Sequence, residues 1–188
     1  MEISKIVKLI KQGNVLVVPT DTVYGLICDA TNKKAVDKIF KIKNRPKSKP
    51  LPIFVKDITM AKKFAIIDKN QEKFLKSVWP GPITAVLKST RLRPPIGGTS
   101  ARQRNTIAIR IPKYGLLLGL AEQLNKPLAQ TSANISGQLA SGDIKDILKQ
   151  FEGKKYQPDL IVKHRMSNKL KPSRIIDLTK TPYKILRT

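Results

Sequence analysis

Three polar segments that each follow an apolar run carry the residues best suited to chemistry. They span residues 19–26 (PTDTVYGL), 43–46 (KNRP) and 131–134 (TSAN). Each places hydroxyl, cationic or amide groups at the end of a predicted strand or helix, which is where open α/β sheets bind ligands. The sequence contains neither a G-x-x-x-x-G-K-[ST] loop nor a G-x-G-x-x-G pattern. A bound nucleotide would therefore be held by side chains rather than by a glycine cradle.

The charge of the chain favours anionic ligands but does not name one. The 188 residues include 37 Lys and Arg against 13 Asp and Glu, which gives a formal net charge of +24. Such an excess attracts polyanionic partners or substrates over long range. Most of these cations are lysines, which act as point charges rather than as bidentate readers. A solvated surface therefore explains the excess better than a dedicated nucleic-acid groove.

Cysteine and histidine usage excludes two kinds of site. Cys28 is the single cysteine and His164 the single histidine, so neither an internal disulfide nor a zinc cluster of familiar spacing is expected. No apolar run approaches the roughly 20 residues that cross a bilayer, and the N-terminus lacks the apolar core of a signal peptide. We predict a cytoplasmic protein that makes no membrane contact.

Hydrophobic periodicity predicts helices and strands that alternate along the chain. A chain of this length forms one domain, so we predict a single α/β domain over residues 1–188, with a mixed open sheet and flanking helices. The patterns predict helices over 3–10, 35–42, 60–65, 74–78, 116–124 and 144–151, and strands over 15–18, 52–55, 83–87, 107–111, 127–130, 160–162, 175–178 and 183–186.

Arg110 is the most informative single residue, because it interrupts an apolar strand between Ile109 and Ile111. A cation buried there needs a carboxylate partner from the protein or from a ligand. Lys43 and Arg45 are followed by Pro46 and two further lysines, which fits a triphosphate clamp, although a helix cap or a solvated surface explains them nearly as well.

Other candidates have ordinary structural explanations as well. Thr20 and Thr22 follow a predicted strand, and Ser132 and Asn134 form a pair typical of a turn or helix start. Tyr24 and Trp79 are expected in the core. The basic, Pro- and Gly-rich segment 91–104 is expected to be a mobile functional loop.

Taken together and in order, six motifs resemble those of the YrdC-like family. They are PTDTVYG at 19–25, KNRP at 43–46, WPGP at 79–82, IAIR at 107–110, TSANISG at 131–137 and PS at 172–173. The resemblance runs from about residue 3 to residue 187. Because the chain stops just after Arg187, it resembles the short single-domain members.

The resemblance implies an enzyme that makes L-threonylcarbamoyladenylate from L-threonine, bicarbonate and ATP with release of pyrophosphate. It would be a nucleotidyltransferase, and the product would feed N6-threonylcarbamoyladenosine formation next to the anticodon of tRNA. By resemblance, Lys43 and Arg45 are the catalytic candidates. Threonine would bind Thr22, Arg110 and Ser173, and ATP would bind Lys43, Arg45, Lys49, Thr106, Ser132, Asn134 and Arg187.

The resemblance also implies partners. Mg²⁺ would accompany ATP, with no metal held by the protein alone and no redox cofactor. Partner proteins would transfer the threonylcarbamoyl group to tRNA, and the chain itself would bind tRNA weakly and non-specifically. Three positions depart from the family pattern: Asp21 replaces a common Glu, Tyr114 a common His and Arg174 a Thr of many longer members.

Two alternatives remain open at this point. One is a noncatalytic RNA-binding or ribosome-assembly factor of the same fold, which only the charge favours. The other is a paralogue that hydrolyses the adenylate. The complete set of Lys43, Arg45, Ser132 and Asn134 argues against the first.

Overall fold

One mixed sheet with helices on both faces organises the chain. The computed structural model describes residues 2–92, 94–96, 105–163 and 171–188, and within them ten strands and six α-helices are present. The helices are α1 Ile3–Lys11, α2 Lys33–Lys43, α3 Ile58–Phe64, α4 Lys69–Val78, α5 Gly115–Leu124 and α6 Ile144–Phe151. The strands are β1 Leu16–Val18, β2 Gly25–Asp29, β3 Ile53–Phe54, β4 Ala65–Ile66, β5 Ile83–Ser89, β6 Thr106–Arg110, β7 Leu128–Ser132, β8 Leu160–Ile161, β9 Arg174–Asp177 and β10 Lys184–Arg187.

The strands follow the order β10-β9-β5-β6-β3-β7-β2-β1-β8, and β4 pairs separately with β5. Three neighbouring pairs, β1–β8, β3–β6 and β5–β9, are parallel, and the others are antiparallel. The sheet is therefore mixed and open.

Alternation along the strands divides the apolar residues between two faces of the sheet. On the first face, residues such as Leu26, Ile53 and Ile109 pack with residues of α2, α3, α4 and α6. On the second face, residues such as Ile27 and Phe54 pack with α1 and α5.

Helices α1 and α5 cover only part of the second face. The residues packed with them come from β1, β2, β3, β7 and β8, and none comes from β5, β6 or β9 in the described part of the chain. The side chains of Thr84, Val86, Ala108 and Arg110 alternate onto this same face, since Arg110 pairs with Phe54 across β3 and β6. They therefore form an open half of the face.

Local signals set the ends of α2. The side chain of Asn32 accepts a hydrogen bond from the Ala35 N–H at 3.1 Å and caps the first turn. Asn44 ends the helix in the left-handed conformation (φ 49°), and the Arg45 N–H donates to the Phe40 carbonyl at 3.0 Å. The helix thus stops between the two cationic residues predicted to act on phosphate.

The predicted mixed α/β fold with flanking helices is confirmed. Strands β2 and β4 were not predicted, and α4 begins at Lys69 instead of residue 74. Tyr24 and Trp79 are buried, as expected. The described residues include no helix long and apolar enough to cross a membrane. The single-domain assignment stays a prediction, and His164 and residues 93 and 97–104 of the basic loop lie outside the described residues.

Leu26 tests the unpredicted strand β2. Its side chain is fully buried, so Leu26→Ala should lower the free energy of unfolding by about 2 to 5 kcal/mol through the cavity it leaves. Leu139, which is 89% exposed, is the matched control, and Leu139→Ala should change stability by less than about 0.5 kcal/mol. Urea denaturation followed by circular dichroism measures both. Equal small losses would mean that β2 is not part of the core.

Candidate functional site

The open half of the second face forms the floor of a pocket of about 320 Å³. Strands β5, β6, β7 and β9 supply the floor, and the loop after β1, the segment after α2 and the C-terminal strand supply the walls. The lining side chains used below are those of Thr22, Arg45, Thr84, Val86, Ala108, Arg110, Gln130, Ser132, Ser173, Ile175 and Arg187. The pocket thus lies on a face of the sheet, whereas the sequence suggested the carboxyl ends of the strands.

Arg110 is buried at the base of this pocket, with 1% of its surface exposed. Its Nε donates to the Gly81 carbonyl at 2.8 Å, Nη1 to the Thr22 hydroxyl at 3.3 Å and Nη2 to the Asp21 carboxylate at 2.6 Å. Burial lowers the pKa of Arg110, and the charge of Asp21 opposes that shift. A guanidinium has five N–H donors, and among the described residues two of them have no protein acceptor.

Asp21 is the protein carboxylate that a buried Arg110 requires. Its second oxygen accepts the Lys113 N–H at 2.9 Å, so it joins the loop after β1 to the segment after β6. Asp21, one of the three positions predicted to depart from the family pattern, is therefore the direct partner of the buried Arg110 cation.

Hydroxyl groups hold this loop in place. The Thr20 hydroxyl donates to the Val23 carbonyl at 2.7 Å, accepts the Thr22 N–H at 3.0 Å and lies 3.0 Å from the Thr22 hydroxyl. Thr22 is thereby directed toward Arg110 and the pocket.

The turn at 79–82 supports Arg110 from the opposite side. The Gly81 N–H donates to the Ile111 carbonyl at 2.9 Å, and its own carbonyl accepts Arg110 Nε. A Cβ at this position would lie 2.4 Å from the Val78 carbonyl oxygen, so only glycine fits without a backbone shift.

A second polar group borders the same half of the pocket. The hydroxyls of Thr84 and Ser173 lie 2.9 Å apart and both residues are buried. Arg187 Nε donates to the Ser173 carbonyl at 2.9 Å, which places its guanidinium at the pocket wall. Thr84 was not predicted, because a threonine within an apolar strand pattern reads as an ordinary strand residue.

Lys43 lies behind the opposite wall rather than in the pocket. Its Nζ donates to the Ser132 carbonyl at 2.7 Å, the Asn134 carbonyl at 2.7 Å and the Asn134 Oδ1 at 2.9 Å. The Ser132 hydroxyl donates to the same Oδ1 at 2.6 Å. Burial, with repulsion from Arg45, lowers the pKa of Lys43 to about 7. The structure thus brings three predicted nucleotide residues together, with the ammonium holding the turn that carries the other two.

The remaining predicted residues differ in position. Arg45 lines the pocket, where Nε donates to the Lys49 carbonyl at 2.8 Å and Nη2 to the Pro50 carbonyl at 3.2 Å. Lys49 is exposed and contributes this carbonyl. Thr106 is half-buried on β6, two residues from Ala108 and on the same face.

The other two positions predicted to depart from the family pattern lie away from the floor. Arg174 alternates with the pocket-lining Ser173 and Ile175, so its side chain leaves on the other face. Tyr114 precedes α5 and packs against the apolar cluster of the second face.

Comparison with known proteins places the chain in a family. Residues 8–188 match the family model named for Sua5, YciO and YrdC, which is described as "Telomere recombination". The chain belongs to the Sua5/YciO/YrdC family.

Relatives of this Sua5/YciO/YrdC chain include the threonylcarbamoyl-AMP synthase of Pyrococcus abyssi, which is 34% identical over 181 residues. That match covers 95% of this chain and 51% of the relative, so the chain spans about half the length of this curated relative.

Solved structures show the same fold. P. abyssi Sua5 complexed with L-threonine superposes with a TM-score of 0.88 at 33% identity, covering 98% of this chain and 53% of that one. E. coli YciO superposes with a TM-score of 0.85 at 28% identity, covering 98% and 87% of the two chains.

The contribution of the Asp21–Arg110 ion pair to the free energy of unfolding can be tested by mutation. Asp21→Asn leaves the buried Arg110 without an anionic partner, so it should lower the free energy of unfolding by about 3 kcal/mol. Asp37→Asn is the control, because Asp37 pairs with two exposed lysines and should cost at most about 1 kcal/mol. Urea denaturation at neutral pH compares them. Equal losses would show that water already solvates the Arg110 charge.

The lowered pKa of Lys43 predicts that the stability of the fold depends on pH. Its folded pKa of about 7 lies below the ordinary 10.5, so between these values the unfolded state binds more protons and stability rises with pH. The stability of the wild type relative to Lys43→Met should therefore increase from pH 7 to pH 10, by at most ~1.4 kcal/mol per pH unit. Urea denaturation at several pH values measures the difference. A difference that stays constant with pH would contradict the depressed pKa.

Proposed function

We propose that this protein makes L-threonylcarbamoyladenylate from L-threonine, bicarbonate and ATP and releases pyrophosphate. One observation carries the proposal: within the described residues, three guanidinium groups, those of Arg45, Arg110 and Arg187, line one pocket whose floor also presents hydroxyls and small apolar side chains. That arrangement suits a ligand that is anionic at several points and has a small aliphatic part.

The Arg110 side of the pocket suits threonine. Arg110 retains donors for a carboxylate, and the hydroxyls of Thr22, Thr84 and Ser173 lie around it. Ile175 and Val86 provide an apolar wall for the threonine methyl group. P. abyssi Sua5 has been crystallised with L-threonine, which supports the assignment by analogy.

The Ser132 side suits the nucleotide. Arg45 is held by two backbone carbonyls, so no protein carboxylate in the described residues neutralises it. Arg45, Lys49, Thr106, Ser132 and Asn134 remain the proposed ATP-binding residues on this side. Arg187 also remains a proposed ATP-binding residue, although it contacts Ser173 in the Arg110 half of the pocket. Lys43 would act on ATP through the turn it holds, or directly if its Nζ leaves that turn.

The chemistry needs no protein nucleophile. The amine of threonine combines with bicarbonate and loses water to give a carbamate, and a carbamate oxygen then attacks the α-phosphorus of ATP. The bond from that phosphorus to the β-phosphate oxygen breaks, and pyrophosphate leaves with the charge that develops. Positioning and cationic stabilisation by Arg45 and its neighbours do most of the work.

Mg²⁺ would enter with ATP and share the phosphate charge. It keeps several waters and uses substrate phosphates as ligands. Ser132 has a hydroxyl oxygen on the nucleotide side, and Mg²⁺ binds oxygen ligands of this kind.

The proposal includes a role in tRNA modification. The P. abyssi relative is named a threonylcarbamoyl-AMP synthase, and its product is an activated acyl phosphate that a second protein must consume. We therefore expect partner proteins that transfer the threonylcarbamoyl group to tRNA, with weak, salt-sensitive contact between tRNA and this chain.

Pyrophosphate release tests the function. With purified protein and Mg–ATP, release should require threonine and bicarbonate together, because the carbamate is the nucleophile. Arg110→Ala should reduce this release by at least about 100-fold, since the buried cation that binds the carboxylate is lost. Arg91→Ala, which changes an exposed arginine outside the pocket, is the control and should retain the wild-type rate.

Two outcomes would contradict the assignment. Equal release without threonine or without bicarbonate would exclude the synthase. If Arg110→Ala instead weakened tRNA binding, measured by filter retention across a salt series, and spared synthesis, the RNA-binding alternative would be favoured.

A further inference from the structure

The residues assigned to threonine and to ATP leave one reactant without a protein contact. Arg110, Thr22 and Ser173 address threonine, and Ser132, Asn134 and Arg45 address the nucleotide. Bicarbonate supplies the carboxyl group that joins the two, so this group must lie between the two sets.

Strand register shows which residues lie between them. On the open half of the second face, β6 presents Arg110, then Ala108, then Thr106, spaced by about 7 Å along the strand. On β7 the same face presents Gln130 and then Ser132. Phe54 pairs with Arg110 in the parallel β3–β6 pair, so Pro52, two residues before Phe54, lies opposite Ala108. On its other side Pro52 lies opposite Gln130, whose N–H donates to the Pro52 carbonyl. Gln130 and Ala108 therefore share the row between the threonine row and the nucleotide row.

Gln130 is the polar member of this middle row. Val86 pairs with Ala108 and, like Pro52, is apolar, so the rest of the row forms a smooth floor. The Gln130 side chain is half-buried and lines the pocket, and its amide makes no hydrogen bond to any described residue. A half-buried amide with free donors favours a ligand oxygen over the apolar floor.

Glycine at position 25 lets the Gln130 amide occupy this place. A Cβ on Gly25 would lie 3.3 Å from Nε2 of Gln130, closer than most side-chain contacts. Gly25 has no left-handed backbone angle, so close approach explains the glycine here.

We propose that the side-chain amide of Gln130 binds the carboxylate oxygens of the threonine carbamate, the group derived from bicarbonate. This inference rests on the proposed function. The amide N–H groups donate to the carbamate oxygen that does not attack phosphorus, which holds the other oxygen toward the nucleotide row. Gln130 is thus a substrate-binding residue for the one reactant that the threonine and ATP residues do not address.

Steady-state kinetics of pyrophosphate release test the assignment. At saturating threonine and ATP, Gln130→Leu should raise the KM for bicarbonate about tenfold or more, the effect of losing a hydrogen bond to a charged group. Gln130→Glu should raise it further, because a carboxylate repels the carbamate. The KM values for threonine and ATP should stay within about twofold of the wild type.

Two controls separate binding from folding. Gln123→Leu changes an exposed glutamine on α5 and should leave all three KM values unchanged. Threonine binding without bicarbonate, measured by calorimetry, should be equal in wild type and Gln130→Leu, because the pocket that receives threonine is intact.

The outcomes distinguish the two levels of the proposal. An active wild type with an unchanged bicarbonate KM in Gln130→Leu, or with all three KM values raised together, overturns the assignment of Gln130 alone. A wild type that releases no pyrophosphate with the three substrates overturns the proposed function, and the role of Gln130 with it.

Discussion

The structure depends on keeping a guanidinium charge inside a sheet. Arg110 lies on β6 among apolar neighbours, where an unpaired cation would destabilise the fold. Its three bonds reach the loop after β1 through Asp21 and Thr22 and the turn at 79–82 through Gly81. Two segments distant in sequence are thereby fixed around one side chain, so the interactions that make the burial tolerable also build one end of the pocket.

The same sheet serves as core and as binding surface. Its first face is packed with four helices, whereas α1 and α5 cover only the part of the second face formed by β1, β2, β3, β7 and β8. A packed face holds the strands in register, and register sets which side chains reach the open half. Because alternation places Arg110 and Thr106 on either side of Ala108, the rigid core determines the distance between the proposed threonine side and the proposed nucleotide side.

Sequence patterns predicted much of this and missed specific parts for physical reasons. Apolar periodicity identified most elements, but β2 begins at Gly25 inside a motif that reads as a loop, and β4 has only two residues. The prediction that a buried Arg110 needs a carboxylate partner is confirmed. The neighbouring sequence could not identify that partner as Asp21, because Asp21 is 89 residues away. The position of Gln130 in the pocket likewise becomes apparent only when the strand pairing shows that its side chain lies on the open face of β7. The placement of Lys43 behind the pocket wall depends on three long-range carbonyl contacts that no spacing reveals.

The cations of the pocket differ from the other cations of this basic surface in the groups that bind them. Several peripheral lysines are neutralised by carboxylates, whereas the cations at the pocket are held mainly by uncharged carbonyl groups. A carbonyl orients a cation without cancelling its charge, so the pocket keeps a fixed positive potential that need not reorganise when an anionic ligand arrives. Asp21 is the exception among the described residues, and it pairs with the cation buried most deeply, where an uncompensated charge would be least tolerable. The distribution of scarce carboxylates, rather than the net charge, therefore makes this pocket suited to a triphosphate and a carboxylate. The peripheral pairs are Lys33 and Lys47 with Asp37, Lys38 with Asp159, Lys62 and Lys76 with Glu72, and Lys126 with Asp29, and the carbonyl-held cations at the pocket are Arg45 and Arg187.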